Sequence, residues 1–201
     1  MKKRWIVFAL AAAVMLALAG CGKGDSDSGS GEVGNASPGS GEDTAEDGSG
    51  DAGQEETVTG KHHVEINVKD YGMISVELDA DAAPITVANF LKLAGDGFYD
   101  GLTFHRIIEG FMMQGGDPRG DGTGGADENI KGEFSENGIQ NDLSHTRGAI
   151  SMARSPMMDS ASSQFFIVHQ DSTFLDGQYA CFGYVTEGMD VVDAVCEAEY
   201  P

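Results

Sequence analysis

From residue 22 to about residue 59 the chain is almost entirely Gly, Ser, Asp, Glu, Ala and Thr, with no aromatic residue, and no Lys or Arg opposes the ten acidic residues between Asp25 and Glu56. Such a stretch cannot bury enough apolar surface to offset the entropy of ordering it, and its own charge repulsion extends it further. It reads as a disordered acidic tether, so the fold must be made from residues 60–201, a length suited to one ordinary domain. Apolar residues, 40% of the chain, are concentrated enough to fill one core there. The formal net charge of −21 argues against a nucleic-acid partner, since phosphates call for clustered Lys and Arg and no basic stripe interrupts the acidity.

The first twenty residues have a different character. Lys2, Lys3 and Arg4 precede the apolar run of residues 5–18, and the small Ala19 and Gly20 precede Cys21. A charged start, a short apolar stretch and small residues before a cut describe a secretory signal over residues 1–20, with an uncleaved N-terminal anchor as the alternative. Leu18-Ala19-Gly20-Cys21 resembles the bacterial lipobox, which implies that Cys21 is lipidated and begins the mature chain at the head of the 21–59 tether. The expectation is a protein lipid-anchored to the cell membrane and facing outside the cytoplasm, with a slight preference for a single-membrane envelope. Cys181 and Cys196 match no zinc or redox spacing and read as small buried hydrophobes.

Beyond residue 60, residues 63–69 (HVEINVK) and 73–78 (MISVEL) alternate apolar and polar positions around Asp70-Tyr71-Gly72, which predicts a hairpin. An amphipathic helix is expected to start at Pro84 and stop at Gly95, with Val87, Phe90, Leu91 and Ala94 on its apolar face. Short strands are expected over residues 103–108, 111–115, 148–153, 164–169 and 180–185. A second helix is expected over residues 187–196 with Met189, Val192, Ala194 and Val195 inward. Many strands with Gly-rich turns and two helices indicate a mainly β antiparallel barrel or sandwich with helical caps.

Two strings carry chemistry. In residues 104–125 (FHRIIEGFMMQGGDPRGDGTGG), strand alternation puts Phe104, Arg106 and Ile108 on one face and so sets a guanidinium among apolar side chains. In residues 162–168 (SSQFFIV), Gln164, Phe166 and Val168 share one face and Phe165 and Ile167 the other; only one face can enter the core. Singly, an Arg on a strand is usually a snorkelling surface residue, and Met and Phe are usually core. Their association is what raises the expectation of a site.

Those strings, together with residues 148–154 (GAISMAR) and 160–183 (SASSQFFIVHQDSTFLDGQYACFG), resemble the cyclophilin family of peptidyl-prolyl cis/trans isomerases from His63 to about Val195. The resemblance implies a closed eight-stranded antiparallel barrel capped by two helices. The family has a last strand after the second helix, whereas this sequence stops at Glu199-Tyr200-Pro201, so a barrel short of its final strand is the alternative. By resemblance, Arg106 falls on the catalytic arginine; Phe111, Met112, Phe166 and Leu175 fall on the proline pocket; Gln114 and Gln164 line it and bind substrate backbone. His105, Gly122, Ala153 and Arg154 fall where the family contacts residues preceding proline. Phe174 and Tyr179 stand where many eukaryotic members have a tryptophan and a histidine. The implied activity is isomerisation of X-Pro bonds in exported polypeptides, without cofactor or metal, by a monomer. The alternative is a non-catalytic proline-binding chaperone or adaptor.

Other constellations are weaker. Asp117, Asp121, Gly122 and Glu128 fit four places of a calcium loop, but Arg119 occupies a ligand place and no helices flank it. The glycines of 115–125 lack a phosphate loop's Gly-Lys-Ser/Thr ending, and the five histidines show no metal-ligand spacing.

Overall fold

The computed structural model describes residues 58–198. The expected secretory signal, the expected lipidation site Cys21 and nearly all of the expected tether lie outside these residues. Among the described residues no helix is long and apolar enough to cross a membrane.

The alternation after residue 60 yields two strands, β1 (Lys61–Val68) and β2 (Gly72–Asp79), paired antiparallel from Lys61↔Asp79 to Val68↔Gly72. The turn between them is Lys69-Asp70-Tyr71, and Asp70 takes a left-handed φ of 69°, a conformation open to Asp because its short side chain tolerates it. Ile74, Val76 and Leu78 of β2 are buried while their neighbours are not, the period-2 pattern of a half-buried strand.

Helix α1 (Pro84–Gly95) starts at its proline, whose missing N–H costs nothing there. No side chain of its own caps it. Glu133, from a loop 47 residues on and 1% exposed, takes over: Ile85 N–H donates to one carboxylate oxygen (3.0 Å), and Thr86 N–H and Oγ1–H donate to the other (2.7 Å each). The first-turn donors left unpaired by helix geometry thus find a negatively charged acceptor at the positive end of the dipole. The buried face is Thr86, Val87, Phe90 and Leu93, with Leu91 half-buried against the core; the expected Ala94 lies exposed in the last turn. Helix α2 (Met189–Cys196) follows Gly188, at φ 88°, and buries Val191, Val192, Val195 and Cys196; the expected Met189 is half-buried against the core, whereas the expected Ala194 is exposed.

Five more strands, β3 (Arg106–Ile108), β4 (Met112–Gly115), β5 (Ala149–Met152), β6 (Phe165–Val168) and β7 (Cys181–Glu187), complete one antiparallel sheet in the order β1-β2-β7-β5-β6-β4-β3. All four residues of β6 are buried because both of its faces are covered. Phe165 and Ile167 enter the main core with Ile150, Met113 and Phe182. Phe90 of α1 is the hub, its ring centroid 5.0–5.3 Å from those of Tyr99, Phe165 and Phe182. Phe166 and Val168 face the other way, into a second cluster with Met112, Ala149, Leu175 and Cys181. Burial of such side chains stabilises by about 1.5–3 kcal/mol each.

The expected closed eight-stranded barrel is not found. The sheet has seven strands and is open, with β1 and β3 as its edges among the described residues. It curls enough that both edges line one apolar cleft of about 670 Å³, walled by Val64, Ile66 and Val68 on one side and Phe104 and Ile107 on the other. No described strand pairs with either free edge, so the inward side chains of β1 are only half-buried. Cys181 and Cys196 are buried and unbridged, and burial raises their thiol pKa values to about 12 and about 11.

Candidate active site

Antiparallel register assembles residues far apart in sequence into one row. Arg106 of β3 stands opposite Gln114 of β4, Gln114 opposite Phe166 of β6, and Phe166 opposite Ser151 of β5. Directly opposed residues of an antiparallel pair share a face, so these four side chains lie side by side on the face of the sheet turned away from the main core, running from exposed Arg106 to buried Phe166 and Ser151. The alternation expected to join Phe104 to this face does not hold. The strand begins only at Arg106, and Phe104 turns into the core against Phe165 (ring centroids 6.1 Å apart).

The polar end of the row is a relay of amides. Arg106 Nη1 donates to Gln114 Oε1 (3.2 Å), Gln114 Nε2 donates to Gln164 Oε1 (2.8 Å), and Gln164 Nε2 donates to the carbonyls of Gly124 (2.7 Å) and Gly122 (3.2 Å). Each amide is thereby held in one orientation, and the exposed guanidinium keeps its remaining N–H groups for something else. The apolar end is the second cluster. Met112, Phe166 and Leu175 are at most 8% exposed; Phe111, Ala153 and Tyr179 pack around them. Phe111 lies 6.0 Å from the Arg106 guanidinium carbon and stacks on Phe174 (5.8 Å), whose ring is 67% exposed. Tyr179 meets Phe166 edge-on at 5.9 Å. A charged donor thus overhangs the border of an apolar platform.

Beside this platform lies a polar cavity of about 380 Å³, bordered by Gln114, Gly122, Ala153, Arg154 and Gln164. Its wall is shaped by Asp117, 1% exposed, whose carboxylate accepts N–H bonds from Arg119 (2.7 Å), Asp121 (3.2 Å) and Gly122 (2.6 Å). Burial pushes the Asp117 carboxyl up, but these donors and the Gly124 N–H outweigh it and hold the pKa below the ordinary carboxylate range. The aspartate that heads the calcium-like string therefore spends its oxygens on its own backbone.

Of the residues expected at the site, the structure brings Arg106, Phe111, Met112, Gln114, Gly122, Ala153, Gln164, Phe166, Phe174, Leu175 and Tyr179 to the platform, its rim or the cavity. Arg154 lines the cavity but is already engaged. Its guanidinium carbon lies 4.9 Å from the Phe134 ring centroid and 4.8 Å from that of Tyr179, while Nε and Nη2 donate to Gln178 O and Nη1 to Ser155 O. His105 lies beneath Gly122 with both ring nitrogens buried and without a hydrogen-bond partner. Cys21 is outside the described residues. The reading of the sequence missed Ser151, His145 and Asp176, which stand behind the platform. The one available signal was that His145, Ser151 and Asp176 fall within or beside the strings already singled out.

The family model described as cyclophilin type peptidyl-prolyl cis-trans isomerase/CLD matches residues 63–200. The chain belongs to this family. Peptidyl-prolyl cis-trans isomerase B of Bacillus subtilis is 50% identical over 123 residues, 61% of this chain and 82% of the relative. A peptidyl-prolyl cis-trans isomerase of Helicobacter pylori is 45% identical over 130 residues, 64% and 77% of the two chains. Among solved structures, a Cryptosporidium parvum cyclophilin-type isomerase crystallised in the presence of the dipeptide Ala-Pro is similar, with a TM-score of 0.64 at 31% identity, covering 70% of this chain and 88% of that one. The protein is accordingly a peptidyl-prolyl cis-trans isomerase acting on proline-containing polypeptides.

Proposed function

We propose that this isomerase works outside the cytoplasm on exported polypeptides, held to the membrane by lipid on Cys21, with Arg106 as the catalytic residue. The signal-like residues 1–20, the lipobox-like Leu18 to Cys21 and the acidic stretch after them support the location. The row Arg106–Gln114–Phe166 across three strands carries the catalytic reading.

Rotation about a peptide bond faces a barrier of about 18–20 kcal/mol because resonance holds the amide planar, while the two planar forms of X-Pro differ by only about 1 kcal/mol. The task is kinetic, and no covalent step is needed. Twisting the bond localises a lone pair on the prolyl nitrogen, which becomes pyramidal and can then accept a hydrogen bond. The Arg106 guanidinium, permanently charged, offers a donor to that nitrogen in the twisted state only, and an interaction confined to the transition state is one that lowers a barrier. Phe111, Met112, Phe166 and Leu175 hold the prolyl ring and keep water from the more polar planar amide. Gln114 and Gln164, locked by their relay, orient the rotating carbonyl. His105, Gly122, Ala153 and Arg154 border the residues preceding proline, and Phe174 and Tyr179 close the rim.

A gain of about five decades needs about 7 kcal/mol, of which one charge-assisted hydrogen bond supplies about 1.5–3. The test is Arg106→Ala assayed on a short X-Pro peptide, with peptide affinity measured separately. The expected result is a roughly 10- to 150-fold fall in kcat/KM with affinity nearly kept. Retention of most activity would remove Arg106 from its role.

A further inference from the structure

Behind the platform, three residues outside the proposed site form a continuous hydrogen-bonded chain, with His145 and Ser151 buried and Asp176 at its exposed end. The imidazole of His145, fully buried, lies between Asp176 Oδ1 at 2.8 Å from Nδ1 and Ser151 Oγ at 2.9 Å from Nε2. A carboxylate oxygen only accepts, so the proton sits on Nδ1, and Nε2 accepts from the Ser151 hydroxyl. The imidazole is neutral: burial pushes its pKa below the ordinary histidine value, and the Asp176 carboxylate only partly opposes this. With both nitrogens engaged, the ring cannot rotate, and its flat face lies against Phe166 at 6.0 Å with an interplanar angle of 18°.

The same residue grips the other wall of the platform through its backbone. The His145 carbonyl accepts the Ser172 N–H (2.8 Å), and the His145 N–H donates to Asp176 Oδ1 (2.7 Å). Ser172 and Asp176 flank the one-turn segment Thr173–Leu175, which carries Phe174 and Leu175. His145 therefore holds that turn at both of its ends while its ring backs Phe166. Ser144 Oγ, donating to Asp176 Oδ2 at 2.6 Å, fixes the carboxylate from its other side.

We propose that His145, held by Asp176 and Ser151, is a positioning residue that sets the spacing between Phe166 and Leu175 and so tunes the site to the five-membered prolyl ring. The proposal rests on the reading that Phe166 and Leu175 receive that ring. A core histidine that merely stabilises the fold would, when lost, lower all activity alike. A spacer would change which rings are accepted.

The experiment compares isomerisation of an X-Pro peptide with that of the same peptide carrying pipecolic acid, the six-membered homologue of proline, in the full-length protein and in His145→Ala, Asp176→Ala and Asp176→Asn. Asp176→Ala keeps the test decisive if His145→Ala does not fold, because the Asp176 side chain is 38% exposed and belongs to neither apolar cluster. Asp176→Ala is expected to lower kcat/KM for the prolyl peptide about tenfold and to cut the prolyl-to-pipecolyl ratio by a similar factor. Asp176→Asn, whose amide oxygen still accepts both His145 protons and whose N–H₂ meets Ser144, is expected to restore the ratio. A folded Asp176→Ala protein with the wild-type ratio overturns the proposal. A wild-type protein with no isomerase activity on the prolyl peptide would instead overturn the underlying reading of the site, and the proposal with it.

Discussion

Glu133→Ala removes the one side chain that caps α1 among the described residues, and the geometry sets what this should cost. Three donors lose their acceptor: Ile85 N–H, Thr86 N–H and Thr86 Oγ1–H. Ile85 is 41% exposed, so water replaces the carboxylate there, whereas Thr86 is fully buried. Its two donors each incur about 1–3 kcal/mol when left unpaired, and loss of the negative charge at the helix N-terminus adds about 0.3–1 kcal/mol. The expected loss is about 2–7 kcal/mol, read as a lower urea midpoint at unchanged slope, with a melting temperature lower by at least about 5 °C. Glu133→Gln should fall between the two, since its N–H₂ group faces donors it cannot serve. Thr86→Val should recover part of the Glu133→Ala loss in a double-mutant cycle, because one stranded donor disappears. A Glu133→Ala loss below about 1 kcal/mol at unchanged slope would show that solvent or a relaxed loop serves α1 as well, and the capping argument would fail.

Two further outcomes follow from the loop and the N-terminal segment. The depressed Asp117 pKa means that its contribution to stability is present above the unfolded carboxylate pKa, about 3.9, and is lost as pH falls through the lower folded value. The stability gap between wild type and Asp117→Asn should therefore be widest near neutral pH and shrink below about pH 4; a gap constant to pH 2 in thermal melts would contradict this. Cys21→Ser should move the protein from the membrane fraction to a soluble one and abolish incorporation of labelled fatty acid, and unchanged fractionation would remove lipid from the account.

The sequence disclosed those parts of the fold that depend on local periodicity. The alternation in residues 63–69 and 73–78 and the buried run at Phe165 to Val168 became strands because each residue's environment there is set by its own parity in the pleat. The row Arg106–Gln114–Phe166 was foreseeable as a set of residues through family resemblance, yet its geometry comes from register, which no single segment encodes. Contacts between distant loops were invisible. Glu133 caps a helix 47 residues away, and His145 finds Asp176 31 residues on; neither pairing leaves a pattern at fixed spacing. The misplaced Phe104 has a similar cause: parity arguments run only while a strand lasts, and β3 is three residues long.

The position of β1 in the strand order also has a mechanical meaning. Any load arriving through the N-terminal segment meets the domain between Val58 and Lys61, where Val58 packs on the core, His62 Nε2 lies 3.0 Å from the Thr59 carbonyl, Gly60 N–H bonds Asp81 (2.8 Å), the Gly60 carbonyl accepts Ala80 N–H (2.9 Å) and Lys61 Nζ meets Asp79 (2.7 Å). These bonds latch the end of a strand that is paired along one side only. A pull across the sheet strains them in sequence, one pair after another, whereas a pull along the strand must shear the whole ladder at once. Either way the yielding element is β1, with β2, β7 and β5 standing between it and β6. Tension entering ahead of β1 would be absorbed at that edge before it reached Phe166, Gln114 and Arg106.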